Sequence, residues 1–124
     1  MAIGGILLVE TPYKNQSRVF LAQAEDELAH GDLYQAAEKG WGAAAQIVKA
    51  IADARGWEHD SHRHLFNIVR RLVDETDDDS LSVLFSEANL LHVNFYEGEL
   101  SSRQAAYHLS HVVEFVNKVE GQLE

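Results

Sequence analysis

Between Asp32 and Arg55 the chain reads DLYQAAEKGWGAAAQIVKAIADAR, and no other stretch constrains the fold as strongly. Leu33, Ala36, Ala37, Gly40, Trp41, Ala44, Ile47, Val48, Ile51 and Ala52 recur at spacings of three and four, the period of an amphipathic helix. At about 100° per residue these positions cover more than half the helix circumference. A helix that needs cover on so many sides is the expected centre of its domain. Gly40 and Gly42 flank Trp41, and each costs roughly 1 kcal/mol against Ala inside a helix. That cost points to another backbone passing close by.

The flanking chain supplies the cover. Thr11 and Pro12 form an N-cap followed by Pro at the first helical position. They open a helix expected to reach about Ala29, with Phe20, Leu21, Ala24 and Leu28 inward. Gly31 ends it and Asp32 caps the central helix. The connection is short enough to require an antiparallel hairpin. Gly56 is placed as the C′ residue of the central helix. Beyond a loop from Trp57 to Asp60, Ser61 caps a shorter helix with His62, Leu65, Phe66, Val69, Leu72 and Val73 inward.

The turn DETDDDS, residues 74–80, carries five acidic residues, which suit the N-terminus of a helix capped by Ser80. That helix turns Leu81, Leu84, Phe85, Ala88, Leu91 and Phe95 inward and closes at Gly98. Ser101 and Gln104 read as a capping box opening the last helix, with Ala105, Leu109, Val112, Val113, Val116, Val119 and Leu123 inward. No segment alternates like a strand, and no repeat is visible. The expected fold is an all-α, up-and-down bundle of four to five helices in one domain over residues 1–124.

Composition narrows the chemistry. With no cysteine there is neither a disulfide nor a thiolate zinc site. A formal net charge of −10 opposes non-specific attachment to nucleic-acid phosphates, and DNA is not an expected partner. The start, MAIGGILLVE, holds an apolar run from Ile6 to Val9 that is much too short to span a bilayer, which takes about 20 residues. Residues 1–10 read as a tail, a short strand or an arm that docks on a neighbour. The expectation is a cytoplasmic protein without a membrane segment. There is also no Gly-rich phosphate loop after a strand, no nucleophile elbow and no zinc-protease string.

His92, in LLHVNFYEG, is the most informative polar residue: it falls within roughly 40° of the centre of its helix's apolar face. It reads either as a satisfied core histidine or as a catalytic one. Asn94, Tyr96 and Glu97 follow within a turn and a half, where side chains can converge on a cleft. An imidazole suits proton transfer near neutral pH. Arg63 and Arg70 share one helical face, with Arg71 near them, and read as a solvated face or as phosphate contacts. Arg103 and His108 form an R-x4-H string but lie about 140° apart on a straight helix, which fits two surface residues. His59, Asp60, His62 and His64 surround a loop. With His62 inward and His64 on the opposite side of its helix, no native metal site and no cofactor is expected.

The hairpin, GDLYQAAEKGWGAAAQIVKAIA and LHVNFYEG together resemble the PaREP family of small helical proteins, which belongs with the HEPN superfamily of nucleotide-binding domains. The likeness runs from about Arg18 to Val119. It implies a helical bundle, a homodimer, and a function in binding a nucleotide, RNA or a partner protein near His92, Asn94 and Tyr96, with Arg63 or Arg70 supplied across the dimer. Many members of that superfamily are metal-independent ribonucleases, often toxins paired with a small nucleotidyltransferase. Their motif is an Arg followed by four to six residues and a His. If His92 is that His, the Arg position falls at Glu87, whose carboxylate would repel the reacting phosphate. The resemblance therefore implies binding without robust catalysis. One alternative is a ribonuclease with His92 as general acid/base and Arg103 as the recruited cation. The other is an interaction protein of the antitoxin kind.

Overall fold

The computed structural model describes residues 12–98 and 100–123, and for residues 94–97 the backbone alone. Every regular element among the described residues is a helix: α1 Pro12–Ala29, α2 Leu33–Arg55, α3 His62–Thr76, α4 Ser80–Glu97 and α5 Ser102–Gly121. The expected all-α bundle is present. No helix of the described residues is long and apolar enough to cross a membrane. The apolar run Ile6–Val9, like Thr11, lies outside the described residues.

α2 packs against each of the other four helices. Its burial is wider than the spacing pattern predicts, because Ala43, Ala45 and Ala50 are buried beside Ala36, Ala37, Ala44, Ile47, Val48, Ile51 and Ala52. Alanine on nearly all sides lets four neighbours approach one axis, as close packing requires. Leu33 and Trp41 stay half-buried.

The two glycines beside Trp41 are close-approach sites, but side chains fill them, and the expected backbone crossing is not what occupies the space. A Cβ on Gly40 would sit 2.9 Å from Leu91 Cδ1 and 3.2 Å from Leu109 Cδ1, and one on Gly42 would sit 3.0 Å from the Phe20 ring. Both glycines are thus sockets, one for the α4–α5 leucines and one for α1.

Local chemistry sets the ends. Asp32 accepts a hydrogen bond from the Gln35 amide, and Gly56 closes α2 in the left-handed region at φ 74°. Ser61 accepts from the His64 amide. Ser101 and Gln104 complete a capping box in both directions. α3 ends on Asp77 at φ 57°, an Asp in the place glycine usually takes.

Ser80 is the first residue of α4, not its cap. The capping group is Asp78, whose Oδ1 accepts from the Ser80 amide at 3.0 Å and from its hydroxyl at 2.6 Å. Asp78 also pairs with Lys118 of α5 at 3.2 Å. The Ser80 and Lys118 hydrogen bonds hold the Asp78 carboxyl below the usual carboxylate range.

α1 is tied to the end of α5 by Arg18, which contacts Glu120 at 2.5 Å and Asn117 at 2.8 Å. Inside, the Ser17 hydroxyl donates to the Ala43 carbonyl at 2.7 Å. Ser17 is fully buried although it lies outside the predicted stripe. The core is completed by Ile68 and Phe115, neither of which the spacing analysis places inward.

Candidate functional site

Three helices bring one aromatic residue or histidine each to a common stack. Trp41 comes from α2, His62 from the first position of α3 and His92 from the last third of α4. The Trp41 ring lies 5.0 Å from His62 at an interplanar angle of 27°, and 5.6 Å from His92 at 24°. The two imidazoles are 6.1 Å apart. Beneath them Phe66 and Phe85 meet edge to face at 4.8 Å, and Phe85 anchors the group to Phe115 in the core. His92 is half-buried, and it joins this stack rather than disappearing into the core.

His62 is exposed, against the inward placement expected from its spacing. It opens α3 at the edge of the stack, its ring 5.0 Å from Trp41 and 6.1 Å from His92. One ring face packs on Trp41 and Phe66, leaving the side chain open to solvent. Beside it, Trp41, Ala45, Lys49, His59, Asp60, Ser61, His62 and Leu65 line a cleft of about 210 Å³. A cation, two imidazoles and an indole thus share one cleft in an otherwise acidic chain. Tyr13 of α1 packs edge-on against His59 at 5.3 Å from the far side.

A second recess, of about 470 Å³, lies on the other flank of the α2–α3 loop. Trp57 is its wall, held between Arg55 at 5.8 Å and Arg71 at 4.1 Å from the ring centroid. Arg71 therefore belongs to Trp57 and not to a patch with Arg63 and Arg70. Arg63 is exposed one residue beyond His62, and Arg70 bonds Asn67 Oδ1. At the rim, His64 takes Asp60 on Nδ1 at 2.7 Å and faces Glu58 from Nε2 at 3.5 Å. Glu58, Asp60 and His64 offer ligand atoms within 4.8 Å of one another. Carboxylates facing both ring nitrogens also account for this arrangement without an ion, as an imidazole held between Asp60 and Glu58.

The third cluster joins α4 to α5. Glu87 Oε1 accepts from His108 Nδ1 at 2.8 Å and from His111 Nδ1 at 3.0 Å. An ionised carboxylate only accepts, so both imidazoles carry their proton on Nδ1 in these bonds and keep Nε2 for other work. Burial alone would raise the Glu87 carboxyl, but the two histidine hydrogen bonds outweigh it and hold it below the usual carboxylate range. His108 is 8% exposed, so it is not the surface residue its distance from Arg103 predicts. It flanks the apolar stripe of α5, and Glu87 of α4 and the neighbouring Tyr107 ring cover it. Tyr107 packs edge-on against His111 at 4.6 Å.

Of the residues singled out in the sequence, His92 stands in the stack, with Arg63 next to His62. Arg103 is exposed on the first turn of α5, a helix away from Trp41. The side chains of Asn94, Tyr96 and Glu97 lie outside the described residues. Trp41 and His62 as ring partners, and Glu87 as the acceptor for two histidines, were missed. The visible signal for the latter was His108 and His111, three apart on one helix.

Comparisons with known proteins agree on the fold. No curated protein matches the sequence. A crystal structure of a protein from Sulfolobus solfataricus superposes with a TM-score of 0.79 at 24% identity, covering 88% of this chain and 97% of the other. The model of the archaeal PaREP1/PaREP8 family matches residues 12–116. Spanning most of the chain and all five helices as far as Val116, that match shows that this protein belongs to the PaREP1/PaREP8 family.

Proposed function

We propose that this protein is a HEPN-like bundle that binds single-stranded RNA or a nucleotide on the Trp41–His62–His92 stack. One observation carries the reading: His62 is exposed while stacked at 27° on Trp41, so a base can add to a platform that already exists. Stacking on an aromatic face tolerates any base and is worth about 1–3 kcal/mol per base. Lys49 in the adjoining cleft, with Arg63 one residue beyond His62, supplies positive charge beside the stack in a chain of net charge −10, with Asp60 as the one carboxylate lining that cleft.

Trp41 reports on this site directly. In a Trp57→Phe background it is the only indole, because the chain has two tryptophans. Titration with a mixed-sequence oligoribonucleotide should quench its fluorescence. His62→Ala should weaken binding about tenfold or more while leaving the melting temperature nearly unchanged. No quenching at low salt by RNA or by mononucleotides would overturn the proposal.

A ribonuclease reading has its own observation, the Glu87–His108–His111 cluster. A carboxylate that fixes two imidazoles by Nδ1 prepares both Nε2 atoms for acid–base work. On this reading His108 and His111 replace His92 as the proton-transfer pair, and Arg103 is the cation. Incubating RNA in chelator with wild type, His92→Ala and His108→Ala separates the readings. Cleavage lost only in His108→Ala supports the cluster, and absence of cleavage in wild type leaves binding as the function.

A further inference from the structure

Among the described residues, Arg71 is an exposed cation with neither a hydrogen bond nor an ion pair. Asp74 and Glu75 stand three and four residues further along α3, the spacings at which charges on a helix pair. Glu75 is taken by Arg55 at 3.0 Å. The Arg71 guanidinium is laid over the Trp57 ring instead, 4.1 Å from its centroid. Stacking fixes the plane of the guanidinium and uses none of its N–H donors. A planar fork held in place without an acceptor suits a carboxylate.

The fork borders the recess of about 470 Å³ beside the α2–α3 loop. His64, Asn67, Ile68 and Arg71 line that recess from α3, and their spacings of three, one and three keep them on one stripe. The stripe runs about 10 Å along the helix axis, from an acidic end to a basic one. At the basic end Arg70 takes Asn67 Oδ1, which leaves the Asn67 Nδ2 hydrogens as donors one turn from Arg71. At the acidic end Asp60 holds His64 by Nδ1 at 2.7 Å. Glu58 faces His64 Nε2 at 3.5 Å, longer than a normal hydrogen bond, and its side chain is 82% exposed, so it keeps acceptor capacity for a guest. Trp57 and Ile68 supply the apolar wall between the two ends.

A guest that is only an anion meets Glu58, and one that is only a cation meets Arg71. A guest with both charges answers both ends. We infer that this recess binds a small zwitterion, an amino carboxylate whose carboxylate lies on the Arg71 fork and the Asn67 amide while its ammonium faces Glu58. The recess shares no lining residue with the cleft beside Trp41, so the two sites fill independently.

Proton–nitrogen correlation spectra of the full chain test this. The chain has two tryptophans, and the Trp57 Nε1–H signal is the one lost in Trp57→Phe. Glycine and δ-aminovalerate, a short and a long zwitterion, are the probes, with valerate and pentylamine as singly charged controls. At least one zwitterion should move the Trp57 signal saturably and leave that of Trp41 in place. Arg71→Lys keeps the charge without the fork and should weaken binding about tenfold. Glu58→Gln should weaken zwitterion binding about threefold and leave valerate binding no weaker. Both variants should keep the wild-type helix content in circular dichroism. No saturable shift from either zwitterion at about 50 mM, far above the millimolar range that a few hydrogen bonds support, overturns the proposal. Binding indifferent to Arg71→Lys overturns it too. So does valerate or pentylamine binding the wild type as tightly as the zwitterions, because one end of the recess would then select nothing.

Discussion

At the residue scale, the two glycines beside Trp41 look alike in the sequence and differ in what surrounds them. A Cβ at Gly40 meets Leu91 and Leu109, which are 1% and 4% exposed and held by the core. Overpacking there costs about 1–3 kcal/mol, more than the roughly 1 kcal/mol that Ala gains in helix propensity. Gly40→Ala should therefore destabilise the protein by about 1 kcal/mol in urea unfolding. At Gly42 the contact is the Phe20 ring, which is half-buried on α1 and has only the Lys39 side chain recorded over it, a neighbour that can yield. Gly42→Ala should be neutral or stabilising, within about 0.5 kcal/mol, in the same measurement. The helical period flagged both positions and could not rank them, because the yielding of a neighbour is a property of the packed core. His62 and His108 make the same point. Both lie near apolar stripes, and their opposite exposures follow from what the neighbouring helices set against them.

At the element scale, caps were the most legible feature. Asp32, Ser61, Gly56 and the Ser101–Gln104 box act through atoms within four residues, so local order suffices to place them. Ser101→Ala should cost about 1 kcal/mol, measurable as a lower urea midpoint with an unchanged slope. Gln104→Ala should cost less, since the serine bond to the Gln104 amide survives it. The start of α4 was read one step wrong because Asp78 caps it from two residues back while also holding Lys118 forty residues away. Within the acidic turn, Asp78 and Glu75 have assigned partners, Lys118 and Arg55. Pairings at that sequence distance leave no local trace.

At the scale of the whole molecule, three carboxylates link helix pairs and titrate below their ordinary values: Glu87 between α4 and α5, Glu120 toward Arg18 of α1, and Asp78 toward Ser80 and Lys118. A depressed folded value means the stabilisation is complete above the unfolded value, 4.5 for the glutamates and 3.8 for Asp78. It is lost as pH falls through the folded values. Stability should thus be level on the alkaline side of pH 5 as far as these groups are concerned, and should fall below it. Glu87→Gln should shallow that acid limb in urea midpoints taken from pH 5 to pH 2, and a limb of unchanged steepness would show that the carboxylate adds nothing. The acid response reports on docking between helices, since each of the three groups joins residues on different elements.

The sequence by itself determined the order of the helices, most of their ends, the central place of α2 and the family of the chain. Each of these rests on periodicity, capping atoms or residue strings within a few turns. Tertiary structure alone decided that Trp41, His62 and His92 form one stack, that Glu87 serves His108 and His111, and that Arg71 covers Trp57. Those features depend on the angle and register at which helices meet. Packing many side chains at once sets that geometry, and no spacing within one helix encodes it.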